Sequence, residues 1–91
     1  MAKSHIVKRE GHTEEYDERK LYGSVYSAAL SVREPAGTAE MLAEKTCEEV
    51  GKWIANKTEV TSHDILNNAY KHLHVYNEDA AWMYKHHRNV N

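Results

Sequence analysis

The chain has one cysteine, Cys47, one proline, Pro35, four glycines and no phenylalanine. A single thiol builds neither an internal disulfide nor a zinc cluster, and it suits a reducing cytoplasm. No long apolar run and no signal-peptide pattern appears, so the expectation is a soluble, cytoplasmic protein with no membrane partner. Charge of one sign is missing too: the formal net charge is -2, so no global basic field draws in nucleic acid, and any cationic site must be local. Direct DNA binding is therefore disfavoured. A phosphate loop of the Walker type, a nucleophile elbow and a paired acid-base arrangement are all absent, and the chain is read as a non-enzyme. With 91 residues it makes one small domain with a modest core.

What is present begins with the stretch Ile6-Val7-Lys8-Arg9-Glu10-Gly11, continued by Glu14, Tyr16 and Lys20. Ile6 to Arg9 reads as a strand and Thr13 to Tyr16 as its antiparallel partner. The Glu10-Gly11 pair between them supplies the positive φ of a tight reversal. Asp17 is placed to cap a helix beginning at Glu18. Lys8, Arg9 and Lys20 near one hairpin and one helix start make a seat for phosphate groups. Read without a ligand, the same cations are ordinary edge-strand charges that discourage sheet-to-sheet aggregation, and Lys20 is a solvated first-turn residue.

The remaining chain has a helical period. Leu21, Val25, Ala28, Ala29 and Val32 form one stripe, which Arg33 to Gly37 ends in a loop. Thr38 is expected to cap a second helix with Leu42, Thr46, Val50 and Trp53 on its main stripe, Cys47 and Ile54 alongside, and an end near Asn56. Thr61 or Ser62 opens a third helix, and Thr61 with Asp64 has the form of a capping box. Ile65, Ala69 and Leu73 share one face there, with Leu66 and Tyr70 beside them. Asn77 caps a fourth helix carrying Ala80, Ala81, Trp82 and Tyr84, and Lys85 to Arg88 give it a cationic end that suits the helix dipole. The expected fold is α+β: an N-terminal β-hairpin packed on about four helices, in the order ββαααα. Residues 1–4 and 89–91 are expected to be tails around a domain spanning 5–88.

The seven histidines form no recognisable ligand spacing, since His72 and His74 fall on different faces of a helix and His86 and His87 are adjacent near a terminus. No metal site is expected. Cys47 lies within a helical stripe and reads as a buried, inert thiol.

The order and spacing of these positions resemble the ATP-cone domain, the nucleotide-sensing module of many ribonucleotide reductases and of the repressor of their genes. The family pattern is an aliphatic residue, any residue, then Lys-Arg-Asp-Gly, followed by an apolar or aromatic position and a lysine. Here these positions are Ile6, Lys8, Arg9, Glu10, Gly11, Tyr16 and Lys20, with Glu10 where the family usually has aspartate. Thr61-Ser62-His63-Asp64-Ile65 looks like the family's entry to its third helix, and Trp82-Met83-Tyr84-Lys85 echoes its aromatic, basic final helix. The resemblance implies binding of ATP or dATP, with Mg²⁺ carried in by the nucleotide. By position, Lys8, Arg9 and Lys20 would contact phosphates, and Glu14, with backbone near Tyr16, the adenine end. Ile6, Tyr16, Leu21 and Ile65 would be apolar walls, and Ser62 would reach the nucleotide from the third helix. Leu66 stands where some members have a polar residue. The implied role is allosteric regulation of a ribonucleotide reductase or related partner through altered assembly or self-association. Neither the repressor's zinc ribbon nor the reductase's catalytic barrel is in this chain. A protein-interaction domain of the same shape that has lost its ligand is the competing reading.

Overall fold

In the computed structural model, the backbone is described for residues 5–7 and 13–87 and the side chains for residues 15–86. Lys8, Arg9, the Glu10-Gly11 turn, Arg88 and both expected tails lie outside the described residues. The elements in chain order are β1 (His5–Val7), β2 (Thr13–Glu15), α1 (Glu18–Ser31), α2 (Ala36–Ile54), β3 (Glu59–Thr61), α3 (Ser62–Tyr76) and α4 (Glu78–His87).

The four helices form a closed ring in which α1 packs on α2 and α4, and α3 packs on the same two. The apolar stripes point inward as their period requires. Val25, Thr46, Val50, Leu73 and Tyr84 are the largest side chains at the centre, and Leu21, Leu42, Cys47, Ile54, Ile65 and Leu66 are also buried. Seven of the buried residues are alanines, namely Ala28, Ala29, Ala39, Ala43, Ala69, Ala80 and Ala81. Small side chains let helix axes approach closely, so the ring is held by shape as much as by bulk. Trp53 is only partly buried against the core, and Trp82 is half exposed.

A third strand, β3, joins the sheet in the order β2-β1-β3. It was not legible in the sequence: three residues with a single buried apolar side chain, Val60, carry no period. β1 pairs antiparallel with β2 and parallel with β3. The two strands read from the sequence are shorter than expected, and Tyr16 falls just beyond β2.

Helix ends follow local chemistry. α1 closes on Val32 with Arg33 left-handed at φ 69. The Arg33 N–H donates to the Leu30 carbonyl at 3.0 Å, and the Glu34 N–H to the Ala29 carbonyl at 3.1 Å. This is a Schellman closure with arginine where glycine is usual. The expected Thr38 cap is corrected: α2 starts at Ala36, with Pro35 in the capping position and no side-chain cap bond. Proline supplies the extended backbone, and its carbonyl accepts the Ala39 N–H at 2.8 Å. α2 ends at Ile54, before Asn56. Asn77 caps two helices at once: its N–H donates to the Leu73 carbonyl at 2.9 Å, and its Oδ1 accepts the Ala80 N–H at 2.9 Å. Its Nδ2 also donates to the Glu34 carboxylate, tying the α1–α2 turn to the α3–α4 junction.

A left-handed conformation costs a residue with a Cβ roughly 1–2 kcal/mol, of which glycine would return part as unfolded-chain entropy. Arg33→Gly is expected to raise stability by about 0.5–1 kcal/mol, read as a higher urea midpoint with an unchanged slope.

Candidate functional site

The sheet sets the site by placing two helix starts at opposite ends of β1. Glu15 and Glu59 are the Cα partners of His5, whereas Thr13 and Thr61 are the partners of Val7. β2 leads into α1 at the His5 end, and β3 leads into α3 at the Val7 end. The two ends are separated by two strand steps, about 7 Å.

At the α1 end, Asp17 is the cap, and its Oδ1 accepts the Arg19 N–H at 2.9 Å and Arg19 Nε at 3.5 Å. That backbone donor, the guanidinium and the Lys20 ammonium hold the Asp17 carboxyl below its ordinary range. Lys20 is itself exposed. Glu15, Tyr16, Asp17, Glu18 and Arg19 line an open pocket of about 310 Å³. Three of these five residues are acids and one is a cation, so phosphate groups are not favoured within it. Tyr16 is half-buried, and its Oη is shielded from solvent without a hydrogen-bond partner among the described residues. Burial is the main cause raising its pKa, helped by Cys47, Glu18, Tyr84 and Asp17 nearby.

At the α3 end the capping box is complete: the Asp64 N–H donates to Thr61 Oγ1 at 3.0 Å, and the Thr61 N–H donates to Asp64 Oδ2 at 3.1 Å. These donors from Thr61 lower the Asp64 pKa, with smaller help from His63 and Lys57. Ser62 is half-buried in the first turn, where helix N–H groups have no partner within the helix. Ile65 and Leu21 are 7% and 6% exposed, so both belong to the core and would meet a ligand only at its margin. Ile6 sits between Glu14 and Val60 in register, on the central strand.

The structure thus divides the residues read from the sequence into two groups, Tyr16, Lys20 and Leu21 at the α1 start and Ser62 and Ile65 at the α3 start. Sequence reasoning missed Glu15, Glu18 and Arg19 as pocket residues. Their only signal was adjacency to Tyr16 and the Asp17 cap.

Elsewhere, Tyr70 and His74 rings lie 5.5 Å apart, Trp82 and His86 rings 4.5 Å apart, and Lys85 Nζ is 4.7 Å from the Tyr70 ring centre. No group of three histidine, cysteine or carboxylate side chains suited to a metal ion occurs among the described residues. Cys47 Sγ lies 3.8 Å from the Glu18 carbonyl oxygen, to which its thiol donates. Burial, then the Glu18 carboxylate, pushes the thiol pKa up to about 12.

Iodoacetamide is expected to alkylate Cys47 in the folded domain only as fast as the domain opens, and rapidly in urea. A native rate that instead climbs through the ordinary thiol pKa of ~8.5 would contradict a buried protonated thiol. Thr61→Ala should lower stability by about 1 kcal/mol. The Asp64 carboxyl titrates below its ordinary 3.8 in the folded state. Its contribution is therefore present above that value and is lost as pH falls through the folded pKa. Melting temperatures of wild type and Asp64→Asn should differ at neutral pH and converge in acid.

Among the described residues no helix is long and apolar enough to cross a membrane. A comparison with curated proteins finds no match. The family model of the ATP cone domain matches residues 4–90. The match takes in β1, both helix starts and the whole helical ring, and the chain therefore belongs to the ATP-cone family.

Proposed function

We propose that this domain is a regulatory module that binds ATP or dATP and, with no chemistry of its own, acts on a ribonucleotide reductase or related partner by changing its assembly. ATP-cone domains are in general nucleotide-binding regulatory modules that take ATP or dATP. The observation that best supports a site in this chain is the parallel pairing of β1 with β3, which sets Val7 beside Thr61. The chain passes from Val7 directly into Lys8 and Arg9, and from Thr61 directly into the first turn of α3. Two consecutive cations and a helix N-terminus suit a polyphosphate: arginine offers a planar fork, lysine a mobile charge, and the helix its first N–H groups and dipole.

In this reading Lys8, Arg9 and the exposed Lys20 neutralise phosphates, and Ser62 donates from α3. Glu14 and the Tyr16 backbone recognise the adenine end, while Ile6, Tyr16, Leu21 and Ile65 supply apolar surface. Mg²⁺ arrives on the phosphates. The acidic lining around Tyr16 favours the uncharged base and sugar inside the pocket, so the phosphates lie outside it, toward Lys8, Arg9 and the exposed Lys20.

The test is a backbone amide NMR titration of the whole chain with Mg-ATP and Mg-dATP, repeated on the Lys8→Ala/Arg9→Ala double variant. Shifts are expected at Tyr16, Lys20 and Thr61 to Ile65. Because a hydrogen bond to a charged group contributes about 1.5–3 kcal/mol, the variant should lose at least about tenfold in affinity while keeping its ligand-free spectrum. Equal affinity in the variant would sink the phosphate assignment.

A further inference from the structure

The helix α4 buries Ala80, Ala81 and Tyr84 in the ring and leaves Glu78, Asp79, Trp82, Lys85 and His86 exposed. At about 100° per residue these five positions span about a third of the helix circumference, so they form one outward stripe. The stripe is ordered: two acids at the start, a tryptophan in the middle, then a lysine and a histidine. Trp82 is 50% exposed and is the largest exposed apolar side chain among the described residues. Its ring lies 4.5 Å from that of His86, and Lys85 Nζ lies 4.7 Å from the centre of the Tyr70 ring on α3. The aromatic group and the cation are therefore held in place before any partner arrives, which lowers the cost of a contact. Neither acid has an ion-pair partner among the described residues. The helix dipole accounts for acids at the start and basic residues at the end. It makes no demand for an exposed tryptophan between them.

The stripe is complementary to its own reverse. Glu78 and His86 lie equally far to either side of Trp82 in the chain, and so do Asp79 and Lys85. We infer that α4 is a self-association surface whose partner is a second copy of this chain, with the two α4 helices antiparallel about a two-fold axis at Trp82. That arrangement sets Glu78 of one copy opposite His86 of the other, Asp79 opposite Lys85, and the two Trp82 rings together at the centre. Each contact occurs twice, so the pair is closed and does not propagate. A parallel arrangement would set acid against acid and is disfavoured. The stripe runs about 12 Å along the helix at 1.5 Å per residue, a short contact that suits a transient pair. The inference goes beyond the nucleotide-binding reading and does not depend on it.

The experiment is sedimentation velocity of the whole chain without nucleotide, at concentrations up to about 1 mM. It compares wild type, Glu78→Lys/Asp79→Lys, Lys85→Glu/His86→Glu, and an equimolar mixture of the two double variants. Wild type should shift from monomer toward dimer as concentration rises. Each double variant alone should associate at least about tenfold more weakly, because every exposed pair across the axis becomes repulsive. The mixture should return to within about threefold of wild type, because the two altered stripes complement each other. All the altered positions are exposed, and recovery on mixing shows in the same samples that both variants are folded. Trp82→Gln, which leaves the charges as they are, should also associate more weakly. A wild type that stays monomeric overturns the inference and leaves the stripe to a different protein. Association that neither double variant weakens overturns it by moving the contact elsewhere, and a mixture that stays monomeric overturns the antiparallel pairing. A chain that fails to bind Mg-ATP leaves all of these outcomes readable, so the two readings fail separately.

Discussion

The pairing of β1 with β3 is the constraint on which the candidate site depends. Two three-residue strands alone make a marginal sheet, because so short a ladder scarcely offsets the entropy of ordering it. β3 adds a third strand from the far side of two helices and continues without a break into α3. Through it, the chain that carries Lys8 and Arg9 is anchored to the start of a helix whose inner face lies in the core. A local sequence motif is thereby attached to a surface that the motif does not encode.

The helical ring supports this arrangement from behind. Its far end is closed by Asn77, which serves α3, α4 and Glu34 together, and by the left-handed Arg33 that lets α1 turn into α2. Buried alanines along α1, α2, α3 and α4 leave little room for side-chain rearrangement, so relative movement of helices has to occur as small shifts of whole elements. A ligand bound beside β1 and the helix starts would act on assembly only to the extent that it binds one such arrangement, or one oligomer, better than another.

The electrostatic layout is local throughout. The net charge is small, yet the α1 start gathers Glu15, Asp17 and Glu18 while the α3 start carries a helix dipole beside the chain that leads into Lys8 and Arg9. In the proposed reading the acidic pocket at the α1 start would take the uncharged part of a nucleotide and leave its phosphates to local cations, without need of an overall field.

Much of the architecture was legible in the sequence because the forces that set it are local. The stripes on α1, α2 and α3 follow from helical period, and Asp17, Thr61 with Asp64, and Asn77 cap helices because their short polar side chains reach N–H groups two or three residues on. The Ile6 to Lys20 pattern and the Thr61 to Ile65 entry carried the family, since their side chains recur at fixed spacing. β3 was not legible, because one buried valine in three residues has no period, and neither was the start of α2, because Pro35 caps by backbone geometry without a side-chain bond. The sequence by itself therefore determined the four helices, the caps of α1, α3 and α4, and the family. Only the tertiary structure decided that Val7 meets Thr61, that Leu21 and Ile65 lie in the core, and that the Tyr16 hydroxyl has no hydrogen-bond partner among the described residues. Each of these depends on groups far apart in the chain being packed together, and no local spacing records that.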